Sequence, residues 1–313
     1  MKKINKPPID DLQLLNDICS SYRPNIDPYK HNIIVRYNLY EQNFRNLENI
    51  TSVETFLPIR KDLEESYERS SRFNEERKII LNHYNEQTSG LCLHCMMGKT
   101  HQLDHFFPKS EFPEYSIYSP NLIPICGDCN HKKGTVIFTD SERFFWNCYH
   151  DDFPDYRFLF FNFTLPPSGT QPKVELNLNF GGDTSEITQI IQRHFEKRRL
   201  KEIYLRDVVP GELSMIEGKI HECWKELLLL GIKDKIFDII MVTLKSECSA
   251  LMNKYGKNYW KACILEGMIR NAEFLNEFIE RIISNDEKNG KKCIANWLEQ
   301  EQTIINDKEK YGW

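Results

Sequence analysis

Two cysteine pairs of one form, Cys92-Leu-His-Cys95 and Cys126-Gly-Asp-Cys129, stand with thirty residues between them. Thiolates three positions apart on a tight turn reach one metal ion without strain, and a second such pair completes a tetrahedral shell of four sulfurs. A closed shell of that kind predicts a structural zinc rather than a catalytic one, whose binding holds together a segment too polar to fold unaided. Gly127 suits the turn in the second pair. The competing explanation is a redox dithiol. The remaining cysteines, Cys19, Cys148, Cys223, Cys248, Cys263 and Cys293, are scattered singly and read as small buried residues.

Whether such cysteines form disulfides depends on the compartment. The start of the chain, "MKKINKPPIDDLQLL", has no apolar core of a secretory signal, which predicts a cytoplasmic, reducing setting and so thiols rather than disulfides. The most apolar stretch, "CWKELLLLGIKDKIFDIIMVTLK", is interrupted by Lys233, Asp234 and Lys235, and falls short of the roughly 20 apolar residues of a membrane span. At 313 residues the chain exceeds one ordinary domain. Its net charge of −5 argues against coating nucleic acid by charge alone, so any such site must be a local patch.

Periodicity predicts helices from Asp10 to about Gln87, the last of them the charged run "RKDLEESYERSSRFNEERKIILNHYNEQ" with a solvated face. Thr88, Ser89 and Gly90 break it before the first cysteine pair. Beyond Thr135 the aromatic, alternating segments "ERFFWNCYH", "YRFLFFNFTL" and "KVELNLNF" read as a β-hairpin or small sheet. From about Asp183 the pattern is helical again, with Thr184 or Ser185 as the cap. The expected fold class is α+β. Its regions are helical 1–88, a cysteine-pinned centre 89–140, a β extension 141–182 and a helical 183–313.

Between and after the cysteine pairs lies an ordered series: Asp104-His105 followed by Pro108-Lys109-Ser110, then Asn121-Leu122, Cys126, Cys129, Asn130 and Lys133. The series resembles the HNH endonuclease family, with its ββα-metal fold, in the subgroup pinned by a four-cysteine zinc. The resemblance covers residues 89–140. It implies that His105 is the general base and that Asp104 and Asn130 bind a catalytic Mg²⁺ or Mn²⁺ through oxygen. It also implies that Asn121 orients His105 by a hydrogen bond and that Lys133 meets the scissile phosphate. The chemistry needs those types: phosphodiester hydrolysis calls for an activated water and a counter-charge on the phosphate. His94, His101 and His131 are alternative ligands, or histidines without a role.

The family's implied activity is hydrolysis of DNA, by nicking or double-strand cleavage, the latter needing a homodimer or two events. Similar chains serve bacterial anti-phage systems such as Septu beside an ATPase, which would make the helical flanks docking surfaces for a partner subunit. Lys99, Lys109, Lys132 and Lys133 balance Asp104, Glu111, Glu114 and Asp128 between Cys92 and Thr135, so further basic surface must come from elsewhere. One source is "RHFEKRRLK", where Arg193, His194, Lys197, Arg198, Arg199 and Lys201 form either a DNA-backbone patch or a face paired with a neighbour. Two other readings are a zinc-stabilised nucleic-acid or protein binding module without turnover and an RNA-cutting effector.

Overall fold

Asp10 starts the first helix, its carboxylate accepting from the Gln13 amide at 2.9 Å, and α1 runs Asp11–Asp17. The second, α2, runs Lys30–Gln42. The charged run expected as one helix is two, α3 Arg60–Arg69 and α4 Ser71–Thr88. Ser70 divides them: its backbone is extended and its hydroxyl accepts from the Phe73 amide at 3.3 Å, capping α4. The face expected to be solvated is in part a core face, since Phe73, Ile80 and Tyr84 are buried on α4.

Strand β1, Gln102–His105, pairs antiparallel with β2, Leu122–Ile125, in the register Gln102 to Ile125 through His105 to Leu122. Helix α5, Gly127–Lys133, follows directly and packs on β1. It stops at Gly134, whose φ of +61° suits glycine. A second pair, β3 Phe138–Thr139 and β4 Glu142–Arg143, is short. The expected sheet further on is β5, Leu159–Thr164, with β6, Lys173–Leu178. "FFWNCYH" is not part of it. Residues 144–150 are buried turn and coil, because Asn147 and Asp151 bind backbone and Arg143 locally: the Asn147 amide donates to Asp151, and the Tyr149 amide to Asn147.

Helix α6, Glu186–Arg198, begins after Ser185, and the short α7, Leu200–Ile203, follows it. Then come α8 Val209–Leu230, α9 Ile236–Tyr255 and α10 Trp260–Arg270, with residues 272–288 also helical. The computed structural model describes residues 3–134, 138–139, 142–167 and 171–288. Thr135, the expected boundary at 140–141, Cys293 and residues 289–313 lie outside them. None of the described helices is long and apolar enough to cross a membrane.

The chain divides into two units, which cut across the four regions expected from sequence. The first takes the chain to Phe158 together with Leu178–Glu202 and Lys254–Tyr259; the second takes Leu159–Asn177, Ile203–Asn253 and the described residues from Trp260. So α6 belongs with the cysteine segment, while β5 belongs with α8 to α10. In the second unit β5 lies on α10 at Gly267, where an added Cβ would meet the Phe161 carbonyl oxygen at 2.3 Å and Phe163 Cε2 at 2.9 Å. Phe163 packs on Phe274 with ring centroids 5.2 Å apart. Backbone cannot move aside as a flexible side chain can, so Gly267→Ala is expected to destabilise the second unit by about 1–3 kcal/mol. Urea unfolding followed by circular dichroism measures it.

Candidate functional site

The four expected cysteines come together. Their sulfurs lie within 4.8 Å of one another, all four residues are buried, and Cys95 Sγ is 3.8 Å from Cys126 Sγ. Among the described residues no other group of histidines, cysteines and carboxylates converges so closely. This donor set fits a structural metal ion in number, chemistry and closeness. Hydrogen bonds from Cys129, and then from Cys92 and Cys95, draw the Cys126 thiol down.

Local structure explains how the first pair reaches the second. Leu91 and Lys99 form a single antiparallel bridge, the Cys92 amide donates to Gly98, and Met96 takes a left-handed φ of 57°. Gly98 sits so close to the second pair that a Cβ there would lie 2.8 Å from Cys126 Cβ and 3.0 Å from its sulfur. Tyr84 of α4 braces the turn, donating its hydroxyl to the Leu91 carbonyl at 3.1 Å and accepting from the Leu93 amide at 2.8 Å.

From the other side, α6 grips both pairs. Arg198 donates to the Cys129 carbonyl at 2.6 Å and to His94 Nδ1 at 2.8 Å, and His194 Nε2 donates to the His94 carbonyl at 3.0 Å. His194 also stacks on Trp146 at 3.5 Å between centroids. The "RHFEKRRLK" run is thereby split by helical periodicity. His194 and Arg198, one turn apart, are buried against the cysteine turns, Lys197 lies over the Phe144 ring, and Arg199 and Lys201 are exposed. Because Arg198 can only donate, His94 Nδ1 accepts from it. His94 is therefore engaged in this contact and not in the sulfur cluster.

On β1, neighbouring side chains leave opposite faces. Gln102 and Asp104 face α5: Asn130 donates to Gln102 Oε1 at 2.9 Å, and Lys133 donates to Asp104 Oδ1 at 3.0 Å with its nitrogen 2.9 Å from Oδ2. The buried Lys133 ammonium also donates to the carbonyls of His105 and Phe106. Burial pushes the Asp104 carboxyl up and the Lys133 ammonium down, and each is opposed by the other's charge. Asp104 and Asn130 thus share one strand-to-helix interface. Lys133, expected at a phosphate, instead serves the Asp104 carboxylate, because its side chain is 1% exposed.

His105 faces the other way. Its Nε2 lies 2.9 Å from the Ser116 carbonyl, which can only accept, so Nε2 carries the proton and Nδ1 the lone pair. The ring meets Tyr67 edge-on at 4.4 Å. Burial, helped by the charges of Lys109, Lys133 and Arg77, pushes its pKa down to about 3. Of these three cations, Lys133 is itself paired with Asp104. Lys109 is also tied to Glu68 and lies over the Tyr67 ring.

Asn121 has no direct hydrogen bond to His105. Its side-chain oxygen accepts from the Phe107 amide at 2.7 Å, and its nitrogen donates to the carbonyls of Phe107 and Tyr115 at 3.2 and 3.1 Å. It closes the β1–β2 loop and binds the backbone one residue from Ser116, in place of the expected direct contact with His105. The loop is braced from α1 and α2. Arg36 pairs with buried Glu114 at 2.7 Å, Tyr40 donates to the Pro120 carbonyl, and Asp11 accepts from Ser119. His101, His131 and Lys132 are exposed, and His101 Nδ1 lies 3.2 Å from the Lys99 carbonyl.

Sequence reading missed Tyr67, Arg77, Ser116 and Gly98 as parts of the site, whereas Arg198 stood in a run already read as either a DNA-backbone patch or a face paired with a neighbour. Only Gly98 carried a local signal, a glycine three residues after a C-x-x-C pair; Ser116 acts through its carbonyl, which any residue supplies.

The chain is 37% identical over 83 residues to protein ea31 of Escherichia phage lambda, a match spanning 25% of this chain and 27% of the phage protein's length. No protein-family model matches the chain, and no solved structure matches it.

Gly98→Ala keeps every thiol but pushes on Cys126. It is expected to lower metal retention at least tenfold, read by elemental analysis after dialysis against a competing chelator, while Gly218→Ala, at an open position, changes nothing.

Proposed function

We propose that the chain is a metal-dependent endonuclease of the HNH type that hydrolyses phosphodiester bonds in DNA, with zinc at the four cysteines. One observation carries this reading: His105, with its Nδ1 lone pair bare, stands at the end of β1 within the field of Lys109, Lys133 and Arg77. Lys109 and Lys133 are paired with Glu68 and Asp104, so Arg77 supplies the uncompensated part of that field, whose sign would favour a phosphate. Burial keeps the imidazole neutral but makes it a weak base; a phosphate anion alongside would raise its proton affinity toward the useful range.

Asp104 and the Asn130 side-chain oxygen have the chemistry of a hard-cation site, with Gln102 beside them. Such an ion would supply counter-charge to the phosphate. Lys133 must release Asp104 for one to enter, since both carboxylate oxygens lie within 3.0 Å of its nitrogen. In this reading Lys133 holds Asp104 ionised in the resting chain. The role in anti-phage defence, with an ATPase or a second copy as partner, is part of the same proposal and rests on the sequence resemblance.

The Asp104–Lys133 pair also favours a second reading, a zinc-stabilised binding module in which that pair is a closed structural lock. Supercoiled plasmid with Mg²⁺ or Mn²⁺ separates the two. The nuclease reading expects nicking by the intact chain, reduced about 10²–10⁴-fold by His105→Ala at a temperature where circular dichroism shows the variant folded, its melting temperature being lowered by loss of the buried ring; binding without cleavage of DNA or RNA by either protein overturns it. Lys133→Met leaves Asp104 buried without a partner and is expected to cost about 3–5 kcal/mol. If Asp104 accepts a divalent ion, Mn²⁺ raises the melting temperature of Lys133→Met more than that of the intact chain. Equal shifts would leave Asp104 a purely structural anion.

A further inference from the structure

A cleft of about 570 Å³ opens where the segment entering α1 meets α2 and Tyr118 of the β1–β2 loop. Its lining holds none of the four cysteines and neither Asp104 nor His105, although Asp11 also braces the β1–β2 loop through Ser119. Its ionisable walls are acidic: Asp10 and Asp11 from one side, Glu41 from the other. Asp10 caps α1, Asp11 accepts from the Ser119 amide and hydroxyl at 2.8 Å each, and Glu41 accepts from Tyr118 at 2.6 Å and pairs with Lys6.

The cleft has one polar group that the protein leaves unused. Tyr37 lines it and is 4% exposed, yet its hydroxyl is buried with no hydrogen-bond partner. A phenol left so costs about 1–3 kcal/mol relative to a bonded one, so its place in the wall of an acidic cleft calls for a ligand that bonds to it. Tyr37 stacks on Tyr118 with centroids 4.0 Å apart, giving the cleft an aromatic side. Asp11 is near enough that its charge adds to burial in raising the Tyr37 hydroxyl, and burial raises Asp11 itself to about 7. That is the behaviour of a carboxyl lacking a counter-charge.

The lining selects among ligands. Anions are disfavoured by Asp10 and Asp11, while Glu41 is already paired with Lys6. A single metal ion is ill matched, because among the described residues only the four cysteines bring ligand atoms within 4.8 Å of one another. A spread, flat cation with several donors is matched, since a guanidinium both hydrogen-bonds to carboxylate and hydroxyl oxygens and packs on aromatic faces. We infer that this cleft is a binding site for a guanidinium group, which donates to Tyr37 Oη and to the carboxylates of Asp10 and Asp11 and rests against the Tyr37–Tyr118 pair. The site is independent of any nuclease activity.

Titration calorimetry on the full chain tests it with three probes: agmatine, acetyl-Gly-Arg-Gly-amide, and the uncharged match acetyl-Gly-citrulline-Gly-amide. Binding of a guanidinium probe at least tenfold tighter than the citrulline peptide is expected. A preference for agmatine assigns the site to a free small molecule, and a preference for the peptide to an arginine side chain. Tyr37→Phe removes a hydroxyl that has no internal partner, so it should leave the melting temperature unchanged or higher while weakening the guanidinium probe at least fivefold. Asp11→Asn should weaken it further. Absence of binding by both guanidinium probes at millimolar concentration, or equal affinity in Tyr37→Phe, overturns the inference.

Discussion

Four buried sulfurs within 4.8 Å of one another join a turn that begins at Cys92 to the first turn of α5. That closure sets where α5 lies against β1, and with it which side chains meet across the strand-to-helix interface. Few apolar residues are available to do the same work. The α5 segment, Gly-Asp-Cys-Asn-His-Lys-Lys, has no aliphatic side chain, and a seven-residue helix has too little propensity to persist alone. The sulfurs are supported in turn by neighbours that bind backbone: Tyr84 beneath the first turn, and Arg198 and His194 across both. The inward members of the cationic run on α6 are therefore a structural clamp, holding carbonyl oxygens that the cysteine turns expose.

The loop between β1 and β2 is the second constraint. It is long, and its conformation is determined by hydrogen bonds to main chain: Asn121 within it, and Tyr40 and Asp11 from the N-terminal helices. Its aromatic rings pack with Tyr37 and Tyr40 of α2, as in the 5.3 Å edge contact of Tyr40 with Tyr115. The result is a fixed Ser116 carbonyl and a fixed tautomer of His105. The N-terminal helices thus hold the loop whose Ser116 carbonyl meets the imidazole.

Alternation along β1 then divides the chemistry. Asp104 is drawn to Lys133 on one face, while His105 turns to Ser116 and Tyr67 on the other. Both are buried, so their charge states follow desolvation first and pairing second. Lys133 neutralises the carboxylate, and the imidazole, with no anion beside it, stays uncharged.

The sequence by itself determined which four sulfurs meet, the α+β class, a small sheet that includes β5 and β6, and a helix start at Thr184 or Ser185. Each is a local matter: a C-x-x-C turn, a two-residue alternation or a helix start is written in neighbouring residues. The break at Ser70, the inward turn of His194 and Arg198, the capture of Lys133 by Asp104 and the use of Asn121 on loop backbone were decided only by tertiary structure. Those outcomes depend on which face of an element is covered and on carbonyl groups that every residue carries alike. A cation in a sequence string shows its charge; whether it meets water, a phosphate or a buried carboxylate is settled by what packs over it.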